Sequence, residues 1–243
     1  MSQTLLQDQY FMKGKSRHLF WVVMGFFVLM VIAQLLQNSL VPVFMRTFRT
    51  DGFGAAYGIL CAVILAVYFL GGVILYTAYG MKNSIKAFKV LFFVLAASRI
   101  FGAASMAMSD LVMLDRITGA LGEISQSRWA NASISVFLTI QAVIWTVCML
   151  VAAFHKASGT VLRVSALVLA AYELFYILFV LFLSRQITLY LIRSQQIQLL
   201  TTINMVVNLL IQFGFLAASG FFFGAMSFGK QRKPKVPQAA VSA

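Results

Sequence analysis

Six stretches of this chain stay apolar for about twenty residues or more: roughly 19–40, 56–80, 88–109, 131–154, 162–183 and 201–226. Charged residues gather between them. A helix rises about 1.5 Å per residue, so about 20 apolar residues cross the ~30 Å hydrocarbon core of a bilayer. The pattern predicts an all-α fold: a six-span transmembrane helix bundle, integral to the membrane and multi-pass.

An even number of spans puts both ends of the chain on one side. Lys13, Lys15 and Arg17 precede the first span, and Lys82, Lys86 and Lys89 join the second to the third. Lys156 and Arg163 join the fourth to the fifth, and Lys230, Arg232, Lys233 and Lys235 follow the sixth. These twelve basic residues face six on the other side, Arg46, Arg49, Arg116, Arg128, Arg185 and Arg193. By the positive-inside rule the richer side is cytoplasmic, so both termini are expected there. Residues 1–18 then form a cytoplasmic N-terminal segment, 19–228 a six-helix membrane domain and 229–243 a basic, disordered cytoplasmic tail. The first apolar run is longer than a secretory signal core and is followed by no small-residue cleavage site, so it is expected to stay as a helix.

The loops opposite the basic side carry patterns of their own. Leu111, Leu114, Ile117, Leu121 and Ile124 alternate with Asp110, Asp115, Arg116 and Glu123 over residues 110–130, which suits an amphipathic helix lying at the interface. Residues 184–200 suit prolongations of spans five and six. Proline is almost absent from the spans, and Gly71-Gly72 in span two is the expected place for any helix break. Small residues four apart, such as Ala166 and Ala170 or Gly214 and Ala218, allow close helix approach.

Two charges interrupt the apolar spans, Arg99 in the third and Glu173 in the fifth. A charge at mid-bilayer costs from about 3 to more than 10 kcal/mol, so each needs a partner or a wet cavity. Arg99 lies ten residues from Lys89 and eleven from Asp110, and Glu173 lies ten from Arg163 and twelve from Arg185. Both therefore fall near the midplane, where they pair if spans three and five are neighbours. Gln141 falls at the same depth. Asn204, Asn208 and Gln212 recur every fourth residue along the last span, which sets a polar stripe on one helix face. Gln34 and Asn38 form a similar pair in span one, and Tyr68, Tyr172 and Tyr176 add hydroxyls. The bundle interior is expected to be polar from its centre towards the non-cytoplasmic side and apolar in the cytoplasmic half.

Composition excludes several classes. Hydrophobic residues make up 61% of the chain and charged ones 10%, which an ordinary soluble domain does not do. The net charge of +13 sits at helix ends, so it points to lipid headgroups and topology, with no nucleic-acid partner. His18 and His155 lie at the cytoplasmic interface, and Cys61 and Cys148 are isolated, so no metal centre, cofactor or catalytic constellation has suitable spacing. The expected protein is not an enzyme. It is a transporter or channel for a small polar or ionic solute, with Arg99, Glu173, Gln141, Asn204, Asn208 and Gln212 as its substrate-binding residues. The alternative is a non-catalytic receptor or accessory subunit that binds other membrane proteins or a second copy of itself. The bilayer is the expected partner in either case.

Overall fold

The computed structural model describes residues 11–12, 18–47, 51–118, 127–179 and 197–230, with the side chains at 34, 36–55, 116–118, 197–205 and 208 left outside that description. Among the described residues seven α-helices make six rods: α1 (His18–Thr47), α2 (Asp51–Ala66), α3 (Gly72–Lys82), α4 (Lys86–Thr118), α5 (Arg128–Phe154), α6 (Thr160–Leu178) and α7 (Ile197–Phe228). A π-helical turn, Val67–Gly71, joins α2 to α3 into one rod. Among the described residues there is no strand, only an isolated bridge between Met12 and Asn83.

Five of the rods are long and apolar enough to cross a membrane: Ala56–Lys82, Lys86–Asp115, Arg128–Phe154, Thr160–Leu178 and Leu209–Phe228. Such helices mark a multi-pass membrane protein. The first rod is a helix of 30 residues that runs on through Pro42, and its apolar stretch among the described residues is the shorter His18–Ala33.

The ends of the rods differ from the sequence expectation in one place. Residues 110–118 do not form a separate interfacial helix but prolong α4, which reaches 33 residues, about 50 Å at the helical rise. Nothing between Gly102 and Gly119 breaks a helix, since neither glycine nor proline intervenes. The far end of α4 also has something to pack on: Met113 and Leu114 rest against buried Tyr57 and Cys61 of α2. Residues 119–126, the continuation to 184–196 and the basic tail beyond Lys230 lie outside the described residues.

The rods pack in chain order. α1 touches α2, α3 and α7; α4 packs on α2, α3 and α5; α6 packs on α5 and α7. The result is a closed ring of six rods. Small residues set some of the spacings: Ala166 and Ala170 are buried on α6, and a Cβ on Gly214 would come within 3.0 Å of the Tyr172 ring. Ala62 and Ala66, by contrast, face outward.

One end of the ring is filled with aromatic side chains. Tyr79, Phe88, Phe92, Phe222 and Phe223 are completely buried there. Phe223 meets Tyr79 edge-on at 5.1 Å and lies parallel to Tyr76 at 6.0 Å. Polar groups stitch the rod ends beneath: the Tyr79 and Ser227 hydroxyls are hydrogen-bonded at 2.8 Å, and Asn83 accepts from the backbone of Ile85 at 3.0 Å. Phe11 closes the base. Its ring meets Phe88 edge-on at 5.5 Å, and the backbone N–H and the hydroxyl of Ser84 donate to its carbonyl at 2.9 and 3.0 Å.

Candidate functional site: a polar-floored cavity inside the ring

Above this aromatic layer the ring encloses a cavity of about 840 Å³, to which all six rods contribute side chains. One face of α4 explains where it begins. Phe88, Phe92, Leu95, Arg99, Gly102, Met106, Ser109 and Met113 recur at alternating steps of four and three, so they share one stripe of the helix. The lower three are large, apolar and buried. From Arg99 to Met113 the same stripe lines the cavity, a run of about 20 Å. Exposed Ser109 and half-buried Asp110 lie at its outer end.

Arg99 is 4% exposed and its charge is held by aromatic rings. The guanidinium carbon stands 4.6 Å from the centroid of Tyr68, 4.8 Å from that of Tyr76 and 5.8 Å from that of Trp145. Ring quadrupoles stabilise a desolvated cation by about 2 kcal/mol in favourable cases. One guanidinium N–H donates to the Tyr76 hydroxyl. Arg99 Nε has no hydrogen-bond partner among the described residues. It lies against Gly72, where a Cβ would come within 2.7 Å of it, so a glycine at this position makes room for the arginine.

The π turn brings Tyr68 and Tyr76 to the same cation. In an unbroken α-helix residues eight apart point about 80° away from each other, whereas a π turn absorbs one extra residue and brings that offset back to roughly 20°. Tyr68 is held in turn by Gln141, whose side-chain amide donates to its hydroxyl at 3.0 Å. That pair lies across Gly102, and a Cβ there would collide with both Gln141 and Tyr68.

Glu173 enters the same cavity from α6, with Tyr172 and Tyr176 beside it on the wall. It is 7% exposed. Among the described residues no ion pair joins Arg99 to Glu173, whose helices α4 and α6 both pack on α5. The condition set for their pairing, that spans three and five be neighbours, is not met by the packing order, and the two charges line one cavity. Among the described residues Glu173 has no hydrogen-bond partner.

Of the residues singled out in the sequence, Arg99, Glu173, Gln141 and Gln212 all line this cavity. Asn204 and Asn208 lie on α7, but their side chains are outside the described residues, as are those of Gln34 and Asn38. Tyr68, Tyr172 and Tyr176 line the cavity as well. Sequence reasoning missed Tyr76 and Trp145 as neighbours of Arg99, and it did not find that Gly72 makes room for the arginine or Gly102 for the pair of Tyr68 and Gln141. The alternating spacing along α4 is the signal that would have found Gly102. The walls between these polar groups are apolar, with Phe26, Met30, Met106, Leu138 and Phe215 among them.

Comparison of this chain with known protein families, with characterised proteins and with solved structures finds no match.

Proposed function

We propose that this membrane protein is a transporter or channel for a small polar or ionic solute, which it binds at the floor of the cavity between Arg99 and Glu173. The observation that carries this reading is the separation of the two charges: each is buried, neither has a counter-ion in contact among the described residues, and both line one space large enough for a solute. Two charges kept only to lock helices together gain most when they touch, because an unpaired buried ion costs several kcal/mol. Facing one cavity from different rods, they are instead free to meet a solute. About 840 Å³ falls in the range of pockets that hold small organic ligands. Gln141 at the floor and Gln212 on the wall supply further hydrogen-bonding groups. By the charge asymmetry of the loops, the cavity opens away from the cytoplasm.

A second reading has its own support. The aromatic layer from Tyr79 to Phe223 seals the opposite half of the ring, which suits a receptor or an accessory subunit that binds a solute without passing it on. Cysteine accessibility separates the two. Gln141→Cys at the floor, in a chain with Cys61→Ser and Cys148→Ser, is expected to react with a membrane-impermeant thiol reagent applied from either side of proteoliposomes if the protein transports. Reaction from one side alone favours the receptor. Absence of reaction from both sides, in folded protein, overturns the solute cavity itself.

A further inference from the structure

We infer that the solute this cavity takes is a net-neutral zwitterion with an apolar body, its anionic group on Arg99 and its cationic group on Glu173. The inference rests on the solute-binding reading and names the class of substrate. The floor presents one basic and one acidic side chain, Arg99 and Glu173, on rods that both pack on α5. A singly charged anion placed against Arg99 leaves Glu173 unpaired and is repelled by it. A singly charged cation placed against Glu173 meets the same difficulty from Arg99. A solute with both charges, set apart from each other, satisfies both residues at once when Glu173 is ionised, and in a low-dielectric site each unsatisfied charge is penalised heavily. Asp110 does not alter this balance at the floor, because it lies eleven residues further along α4, about 16 Å towards the rim.

The two subsites differ in a way that orients the ligand. Arg99 lines the cavity with a planar guanidinium suited to a carboxylate or phosphate oxygen pair. Glu173 stands beside Tyr172 and Tyr176, and carboxylate with aromatic rings is a combination that receives ammonium groups. Between and above them Phe26, Met30, Leu138 and Phe215 offer an apolar wall, so the rest of the molecule is hydrocarbon or aromatic in character. An amino-acid-like solute and a zwitterionic lipid headgroup share this chemistry.

A matched set of probes tests the assignment on the full chain in nanodiscs: phenylalanine, 3-phenylpropionate without the ammonium, phenethylamine without the carboxylate, and glycerophosphocholine. Calorimetric titration is expected to give a zwitterion at least about tenfold tighter than either singly charged compound, since a site built for a polar group rejects the analogue that lacks it. Preference for phenylalanine identifies a free amino-acid-like solute, and preference for glycerophosphocholine a lipid headgroup. Arg99→Gln is expected to turn the residual preference towards phenethylamine, and Glu173→Gln towards 3-phenylpropionate. Binding of either singly charged compound within about threefold of the better zwitterion, or binding of neither zwitterion, overturns the inference. If Arg99→Gln fails to fold, the ranking on the unaltered chain decides alone. A floor cysteine that reacts from the cavity side while a singly charged probe binds best overturns the zwitterion and leaves the solute reading standing. An unreactive floor cysteine overturns both.

Discussion

The two halves of the ring are built from the same rods and do opposite things with their interiors. Along the inward stripe of α4, Phe88, Phe92 and Leu95 are completely or almost completely buried, whereas Arg99, Gly102, Met106, Ser109 and Met113 line open space. The change takes place within one turn of helix. Side-chain volume decides the lower half, where rings from α3, α4 and α7 interlock. In the upper half the inward positions of α4 are small, flexible or polar, so this helix sends no large ring into the space. The comparison teaches that the cavity follows from which residues occupy one repeated position, while helix length and packing order continue unchanged.

The largest effect on that contrast is expected from Phe223→Ala, which removes a ring touching Tyr76, Tyr79, Phe92 and Phe222. Loss of a large buried ring costs about 3–5 kcal/mol where the void cannot collapse, measured as the unfolding free energy in detergent or bicelles. A comparable truncation of a cavity-wall residue, Phe26→Ala, is expected to cost clearly less, and equal costs would erase the distinction between the halves. Next comes Gly102→Leu, whose side chain must displace both Gln141 and Tyr68. Overpacking of this kind costs about 1–3 kcal/mol, and the variant is expected to lose solute binding while keeping its helical circular dichroism. Tyr79→Phe removes only the hydrogen bond to Ser227 in the sealed half, a loss of about 1 kcal/mol in thermal unfolding. The smallest term is the coupling between Arg99→Gln and Glu173→Gln in a double-mutant cycle. Because the charges share a cavity without touching, their interaction energy is expected to stay below about 1 kcal/mol. A coupling of several kcal/mol would mean that they form a contact pair and that the cavity closes around it.

Much of the upper half was legible in the sequence, for a simple reason. Arg99, Glu173 and Gln141 are conspicuous in apolar surroundings, and counting residues from the flanking charges places them at one depth. Depth, however, carries no information about azimuth around the bundle, so whether spans three and five are neighbours could not be read from it. Helix order comes from packing, and packing depends on surfaces that a single span does not display. The aromatic cradle of Arg99 was hidden for a different reason. It needs a π turn to bring Tyr68 and Tyr76 onto one face, and Gly71-Gly72 marked the place of that irregularity without specifying its form. The prolonged α4 was misread because alternating polarity at residues 110–118 suits a helix lying on the interface and one projecting beyond it equally well. Only the contact of Met113 and Leu114 with Tyr57 and Cys61 distinguishes them.

The order of the rods around the ring has a consequence for how the molecule comes into being. Since each rod lies beside its predecessor, hairpin after hairpin can dock as it leaves the ribosome and enters the bilayer, with contacts that are local in the chain. The single seam that has to wait is the meeting of α7 with α1. Until it closes, the cavity is a groove open along one side to lipid, and the buried arginine and glutamate have no enclosed space to share. Synthesis of the last helix is therefore the event that converts a curved sheet of helices into a vessel.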